Sequence, residues 1–258
     1  MHNTGGIVVS ALNRRLAGRL TPAGRARVRQ VTDRLTAPLG SIRGVRTRGK
    51  VVALTYDDGP DPAGTPAVLA ALAEAGVRAT FYQLAERAER HPDLVRAVLE
   101  AGHEIAVHGI DHTRLTGLPR ADAAARIRGA RDRLAAVTGQ RARWFRPAYG
   151  GQTLATYLAT RRAGLHPVVW GPTVADWVDG KAAEVAARAL TGLGPGEIVL
   201  LHDGFEVPPG DTTPEPTFDR GEVTRELLAL LSERGYTATS VTDLLTHGRP
   251  HRTAWFRP

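Results

Sequence analysis

From residue 50 onward, short apolar runs alternate with longer helical stretches. Val51-Val52-Ala53-Leu54-Thr55 is the first run, and 78–82, 104–107, 143–145, 167–170, 198–201 and 236–240 come after it. Between them lie helical patterns at 65–76, 92–101, 119–138, 153–163, 181–193 and 222–234, with a last short one at 242–246. The boundaries carry local signals: Thr65-Pro66 and Pro119 open helices, while Gly76, Gly102, Gly139 and Gly164 stop them. Seven short, wholly apolar strands in alternation with helices imply parallel strands covered on the outside. An open doubly wound sheet and a closed barrel both fit that pattern. The polar residues separate the two. Asp57 and Asp58 come after the first strand, His108 ends the third, Arg146 the fourth and His202 the sixth, and Asp176 lies just past the fifth. In a barrel these C-terminal ends converge on one mouth. In an open sheet, ends so far apart in strand order would not share a crevice. The pattern therefore predicts a distorted, incomplete (β/α) barrel of about seven parallel strands over residues 49–258.

The first 48 residues have another rhythm. Leu12, Leu16 and Leu20 recur every four residues with Arg14, Arg15 and Arg19 between them, and Val28, Val31 and Leu35 form a second stripe after Thr21-Pro22. This reads as a basic, partly amphipathic helical arm over residues 1–48. Charge sharpens the division. The chain carries a formal net +8, yet residues 1–50 hold ten Arg, one Lys and a single acid, so the rest of the chain is close to neutral. The plainer reading of the arm is two surface helices packed on the main domain; the sharper one is weak association with an acidic membrane surface. Nucleic acid is not an expected partner, because the arm has no aromatic residue for stacking. The absence of Cys excludes a disulfide scaffold, a thiolate nucleophile and a zinc finger. No apolar run approaches the roughly 20 residues of a membrane helix. Ile7 to Leu12 is short for a secretory core, with Arg14 and Arg15 after it rather than before it. The expected location is cytoplasmic.

Two constellations carry chemistry. Asp57-Asp58-Gly59-Pro60 puts adjacent acids where a buried strand enters a turn; successive strand side chains diverge, so the carboxylates should have separate tasks. Turn formation alone is the competing explanation. His108 and His112 form an H-x-x-x-H pair that can meet one metal ion from a helix or from a tight turn after a strand. Two His and one Asp make a three-ligand set with an open position, as catalytic metal sites require.

Five segments appear in order: Thr55-Tyr56-Asp57-Asp58-Gly59-Pro60, His108-Gly109-Ile110-Asp111-His112, Phe145-Arg146-Pro147-Ala148-Tyr149-Gly150, Asp176-Trp177 and Leu200-Leu201-His202-Asp203. Together they resemble the motifs of the polysaccharide deacetylase family, carbohydrate esterase family 4, across about residues 50–245. The resemblance implies that Asp58, His108 and His112 bind a divalent metal, zinc first, with cobalt, manganese or nickel as other ions suited to the donor set. It implies that Asp57 is the general base, His202 the general acid, Arg146 the residue holding Asp57, and Asp176 the residue orienting His202 or Arg146. Tyr149 would offer its backbone N–H to the oxyanion, and Trp177 and Leu201, beside Pro147, would line the acetyl pocket. The implied activity is hydrolytic removal of an acetyl group from an N-acetylated amino sugar. The same machinery on a small non-polymeric amide, a formamide or an imide is the alternative, and a silent carbohydrate-binding homologue a third.

Three positions depart from the family pattern: Gly109 where Ser or Thr is usual, Ala148 where a second proline is common, and Thr173 where another acid often stands. Two further features stand outside the motifs. Residues 206–220 (EVPPGDTTPEPTFDR) form a Pro-rich, acidic loop after His202, read as a solvated surface loop with a lid as the functional alternative. The string Trp-Phe-Arg-Pro occurs at Trp144–Pro147 and again at Trp255–Pro258 with no longer similarity around it.

Overall fold

The computed structural model describes residues 40–207 and 210–257. Positions 1–39, and with them most of the expected arm and its membrane contact, lie outside the described residues. Among the described residues no helix is long and apolar enough to cross a membrane.

Seven strands form one parallel sheet: β2 (Val51–Asp57), β3 (Thr80–Leu84), β4 (Glu104–Gly109), β5 (Trp144–Phe145), β6 (His166–Pro167), β7 (Ile198–His202) and β8 (Thr237–Thr239). Their order is β6-β5-β4-β3-β2-β7, with β8 pairing the first half of β2. The helices α1 (Gly64–Ala75), α2 (Ala85–Arg90), α3 (Pro92–Glu100), α4 (Arg120–Thr138), α5 (Leu154–Arg162), α6 (Ala182–Ala187), α7 (Arg220–Glu233) and α8 (Val241–Leu244) connect them. The sheet curls towards a barrel. Past β6 the chain runs beside β7, where Leu200 N–H donates to Pro172 O and Val174 N–H to Leu200 O at 3.0 and 3.2 Å. This is the distorted, incomplete barrel that the alternation implies.

Below that seam, β1 (Ser41–Arg46) pairs antiparallel with β9 (Arg249–Thr253). The ribbon is joined to the sheet by bridges from Ile42 to Val168 and from Gly44 to Glu197. The fold therefore starts before residue 49: Ile42 and Val45 are buried in the barrel interior, and Arg43 donates to Glu197 at 3.1 Å. The basic residues at 43 and 46 continue the arm's composition, but Ile42 and Val45 fill the open side of the barrel. Strand β9 has no apolar run (Arg-Pro-His-Arg-Thr) and so gives no strand signal, because it pairs with β1 in a separate two-stranded ribbon rather than in the barrel sheet.

Two apolar layers result from strand alternation. Val51, Ala53, Tyr82, Ala106, Trp144 and Ile198 face inward. Val52, Leu54, Tyr56, Phe81, Val107, Phe145, Val199 and Leu201 face outward against the helices. Helix ends match their signals: Gly76 and Gly139 close α1 and α4 in the left-handed conformation, and Thr153 and Thr156 form a capping box on α5. The inward rows of β2, β4 and β7 end at Asp57, His108 and His202, and Arg146 comes directly after β5.

Candidate active site

The strand-end placement brings the polar residues together, with one local surprise. Asp57 is the last residue of β2, and Asp58 turns out of it with φ 72°. Aspartate tolerates this left-handed conformation better than most residues. The turn cancels the divergence expected of neighbouring strand residues. Both carboxylates face one imidazole: His108 Nε2 lies 3.2 Å from Asp58 Oδ1 and 3.9 Å from Asp57 Oδ2. His108 is itself the extra residue of a register slip, since Gln83 pairs with Val107 but Leu84 with Gly109. Irregularities of this kind re-aim side chains next to active sites.

His112 reaches the same oxygen from the turn after β4, with Nε2 3.4 Å from Asp58 Oδ1. The three ligand atoms all lie within 4.8 Å of one another. Separations of 3.2 and 3.4 Å match the edge of a tetrahedron with bonds of about 2.1 Å, as N and O donors give around zinc. Asp58 Oδ1 is buried and accepts no hydrogen bond, so an acceptor here is left for a cation. His108 Nδ1–H donates to Arg146 O at 2.8 Å, which fixes the tautomer and leaves Nε2 as the donor atom towards the site. Burial pushes His112 down to about 4, in favour of the neutral form a metal ligand needs. Burial opposes ionisation of Asp58, but the imidazoles of His108, His112 and His202 close to it hold its carboxyl well below the usual range. These residues fit a divalent ion.

Arg146 is fully buried and donates from Nη1 to Asp57 Oδ1 at 2.7 Å and to Thr55 Oγ1 at 2.9 Å. Its guanidinium lies 4.1 Å from the Tyr82 ring centroid. The Thr55 hydroxyl in turn donates to Val199 O at 2.6 Å. One Asp57 oxygen is thus held, and the other faces the His108 side of the site. Thr55 takes part in this clamp although it stands in the first motif only as a strand residue.

Register sets Asp57 of β2 opposite His202 of β7. His202 Nδ1–H donates to Asp176 Oδ1 at 2.7 Å, and its backbone N–H to Asp176 Oδ2 at 2.7 Å. Asp176 therefore orients His202; the expectation left open between His202 and Arg146 resolves to the histidine. Burial alone would lower this imidazole, but the Asp176 carboxylate, aided by Asp58 and Asp57, lifts it to about 9. Arg220, at the start of α7 with no distinguishing sequence signal, steadies the pair by donating to His202 O at 3.1 Å and to Asp176 Oδ2 at 3.5 Å. Asp203 is buried on the other face of the strand, accepts from Thr65 Oγ1 at 2.6 Å, and is pushed up to about 7 by burial.

The mouth holds the remaining expected residues, with one correction. Trp177 is half-exposed with its ring edge-on to His202, centroids 5.7 Å apart. Pro147 is buried and opens the turn in which Tyr149 has φ 56° and Gly150 φ 62°. The Tyr149 ring packs on His112, centroids 4.1 Å apart, and the Arg114 guanidinium lies 4.6 Å from the Tyr149 ring centroid. Leu201 does not line the pocket. It sits in the outer layer against the helices, and alternation gives the inward position two residues before the end of β7 to Leu200.

The departures also have local consequences. A Cβ at Gly109 would sit 2.5 Å from Asp111 O, so this turn is tighter than one carrying Ser or Thr. Asp111, two residues on, accepts from Thr113 N–H and Arg126. Thr173 accepts from Ala175 N–H at 3.0 Å, within the turn that delivers Asp176. The acidic loop is tied at both ends, by Arg87 to Glu206 and Phe205 O and by Thr217 to Asp179.

Comparison with known proteins places this site in a family. The polysaccharide deacetylase family model matches residues 44–168. A chitooligosaccharide deacetylase from a Bradyrhizobium strain is 34% identical over 173 residues, covering 67% of this chain and 76% of the relative. The chain belongs to the polysaccharide deacetylase family. A peptidoglycan-N-acetylglucosamine deacetylase of Bacillus cereus is 30% identical over 77% of this chain and 89% of its own length. Among solved structures, a family 4 carbohydrate esterase from Streptomyces lividans in complex with acetate superposes with TM-score 0.66 at 26% identity, over 82% of this chain and all of that one. A family 4 pseudoenzyme from Bacillus anthracis has the same fold, with TM-score 0.71 at 22% identity, over 82% of this chain and 71% of that one. Because the fold also serves a pseudoenzyme, the residues at the strand ends decide the chemistry.

Proposed function

We propose that the protein is a divalent-metal-dependent hydrolase that removes the acetyl group from N-acetylglucosamine residues of an oligo- or polysaccharide. The observation that carries this reading is a base and an acid at one three-ligand site: Asp57, clamped by Arg146, and His202, charged through Asp176, on adjacent strands beside Asp58, His108 and His112. Binding alone needs neither proton acceptor nor donor. Zinc is the ion we infer, since two imidazoles and one carboxylate suit it and the two edges from Asp58 to the imidazoles match.

When bound, the ion polarises the amide carbonyl and makes water acidic enough to lose a proton near neutral pH. The chain's residues do the rest. Asp57 takes the proton from the attacking water through the oxygen that Arg146 leaves free. The Tyr149 backbone N–H faces the oxyanion as the carbonyl carbon becomes tetrahedral. His202, protonated at neutral pH, gives a proton to the leaving nitrogen as the C–N bond breaks, so water and amide become acetate and amine. Leu200 and Trp177 bound the space for the acetyl methyl. Acetate release from a panel of chitooligosaccharides and peptidoglycan fragments, with and without chelator, tests the reading; release only from small non-sugar amides would refute it.

A further inference from the structure

The second Trp-Phe-Arg-Pro string reaches the loop that comes after the first. Trp255 is buried, and its indole Nε1–H donates to Gly150 O at 2.9 Å. Gln152 Nε2 donates to Trp255 O at 2.7 Å, and Gln152 and Arg257 exchange both backbone hydrogen bonds, at 2.7 and 2.9 Å. The Trp255 ring lies on Trp170, centroids 5.0 Å apart, and Trp170 lies against the Arg146 guanidinium at 5.6 Å. The loop so held is one that needs holding. Tyr149 and Gly150 both have positive φ, and a Cβ at Gly150 would stand 2.7 Å from the Trp170 ring. Tyr149 in that left-handed conformation is strained, and surrounding contacts must offset the strain.

We propose that Trp255 is a positioning residue for the reaction: through Gly150 and Gln152, the C-terminal segment Trp255–Arg257 fixes the Tyr149 loop and thereby the direction of the Tyr149 amide. The inference rests on the reading of that amide as the oxyanion donor. Main-chain donors act in the transition state only while their direction is fixed in advance. The loop's own short hydrogen bonds, Gly150 N–H to Pro147 O and Gly151 N–H to Ala148 O, close its turn but leave its far side to the strap. Strand β9, which precedes Trp255, is anchored on β1, so the strap enters from a fixed base.

The test compares Trp255→Phe, which keeps an aromatic ring on Trp170 but removes the indole donor, with Phe256→Ala in the same segment, whose side chain packs on Tyr157 away from the loop. Full-length, zinc-loaded proteins are measured for kcat and KM on chitooligosaccharide, for bound zinc, and for amide hydrogen exchange. For Trp255→Phe, exchange in peptides spanning 147–153 should rise roughly fivefold, as expected for one lost hydrogen bond. Its kcat should fall about tenfold, part of the 10²–10³ that losing an oxyanion donor costs. KM, zinc content and exchange around His108 and His112 should not change, and Phe256→Ala should behave as wild type. Unchanged exchange in Trp255→Phe overturns the strap. Faster exchange with wild-type kcat overturns its part in the reaction, and so does a kcat loss that tracks zinc loss or recurs in Phe256→Ala. A wrong functional reading shows instead in the wild type, as absent hydrolysis.

Discussion

Asp176→Asn removes the charge that keeps His202 protonated while preserving a side chain of the same shape. The lift of His202 from 6.5 to about 9 corresponds to about 3 kcal/mol in favour of the imidazolium. A raised folded-state value stabilises the fold fully below the unfolded value near 6.5, and that contribution is lost as pH rises through about 9. The variant keeps the burial and loses the charge that raises the imidazole most, leaving only Asp58 and Asp57 to oppose burial, so the imidazole falls well below the wild-type value of about 9. In the wild type, kcat/KM should therefore hold through neutral pH and fall above about 9. In Asp176→Asn the falling limb should shift to lower pH, with less activity than wild type at pH 7.5 and a ratio to wild type that narrows towards pH 6. The assay is acetate release across pH 5.5–10 at saturating zinc, with zinc content measured alongside. An unmoved alkaline limb, or the same fractional loss at every pH, would refute His202 as an acid maintained by Asp176.

Two further outcomes separate the parts of the site. Asp57→Asn should lower kcat by about 10²–10⁴ with zinc content unchanged, measured by steady-state acetate release and metal analysis; a variant that also loses its zinc would make Asp57 a ligand. Leu201→Ala should destabilise the outer layer by about 2–5 kcal/mol in denaturant unfolding with KM preserved, whereas Leu200→Ala should act on kcat/KM for the acetylated substrate; the reverse pattern would restore Leu201 to the pocket.

The legible parts of this protein are those that local chemistry dictates. Buried parallel strands leave wholly apolar runs, and the polar residue ending each run is noticed because it interrupts burial. That makes Asp57, His108, Arg146 and His202 visible as one set at the barrel mouth. The steps that escape the sequence depend on backbone direction or on distant partners. Asp58 joins Asp57 in one site because its φ is positive, which Asp permits but does not announce. The inward-facing leucine is one residue away from the expected one, and in a strand one residue reverses the face. Thr55 and Arg220 act through hydrogen bonds to groups on other elements of the fold. Strand β9 and Trp255 lie in a polar tail whose partners, β1 and the Tyr149 loop, are more than a hundred residues distant.

In the proposed function, hydrolysis depends on one ion held by Asp58, His108 and His112. Metal-free protein titrated with zinc, with bound ion and acetate release from chitooligosaccharide followed together, tests it most directly. No release is expected without the ion, then a linear rise to saturation at about one ion per chain, and neither binding nor release at the same concentrations in His108→Ala. Acetate release from metal-free wild type, or full binding and turnover in His108→Ala, would contradict it.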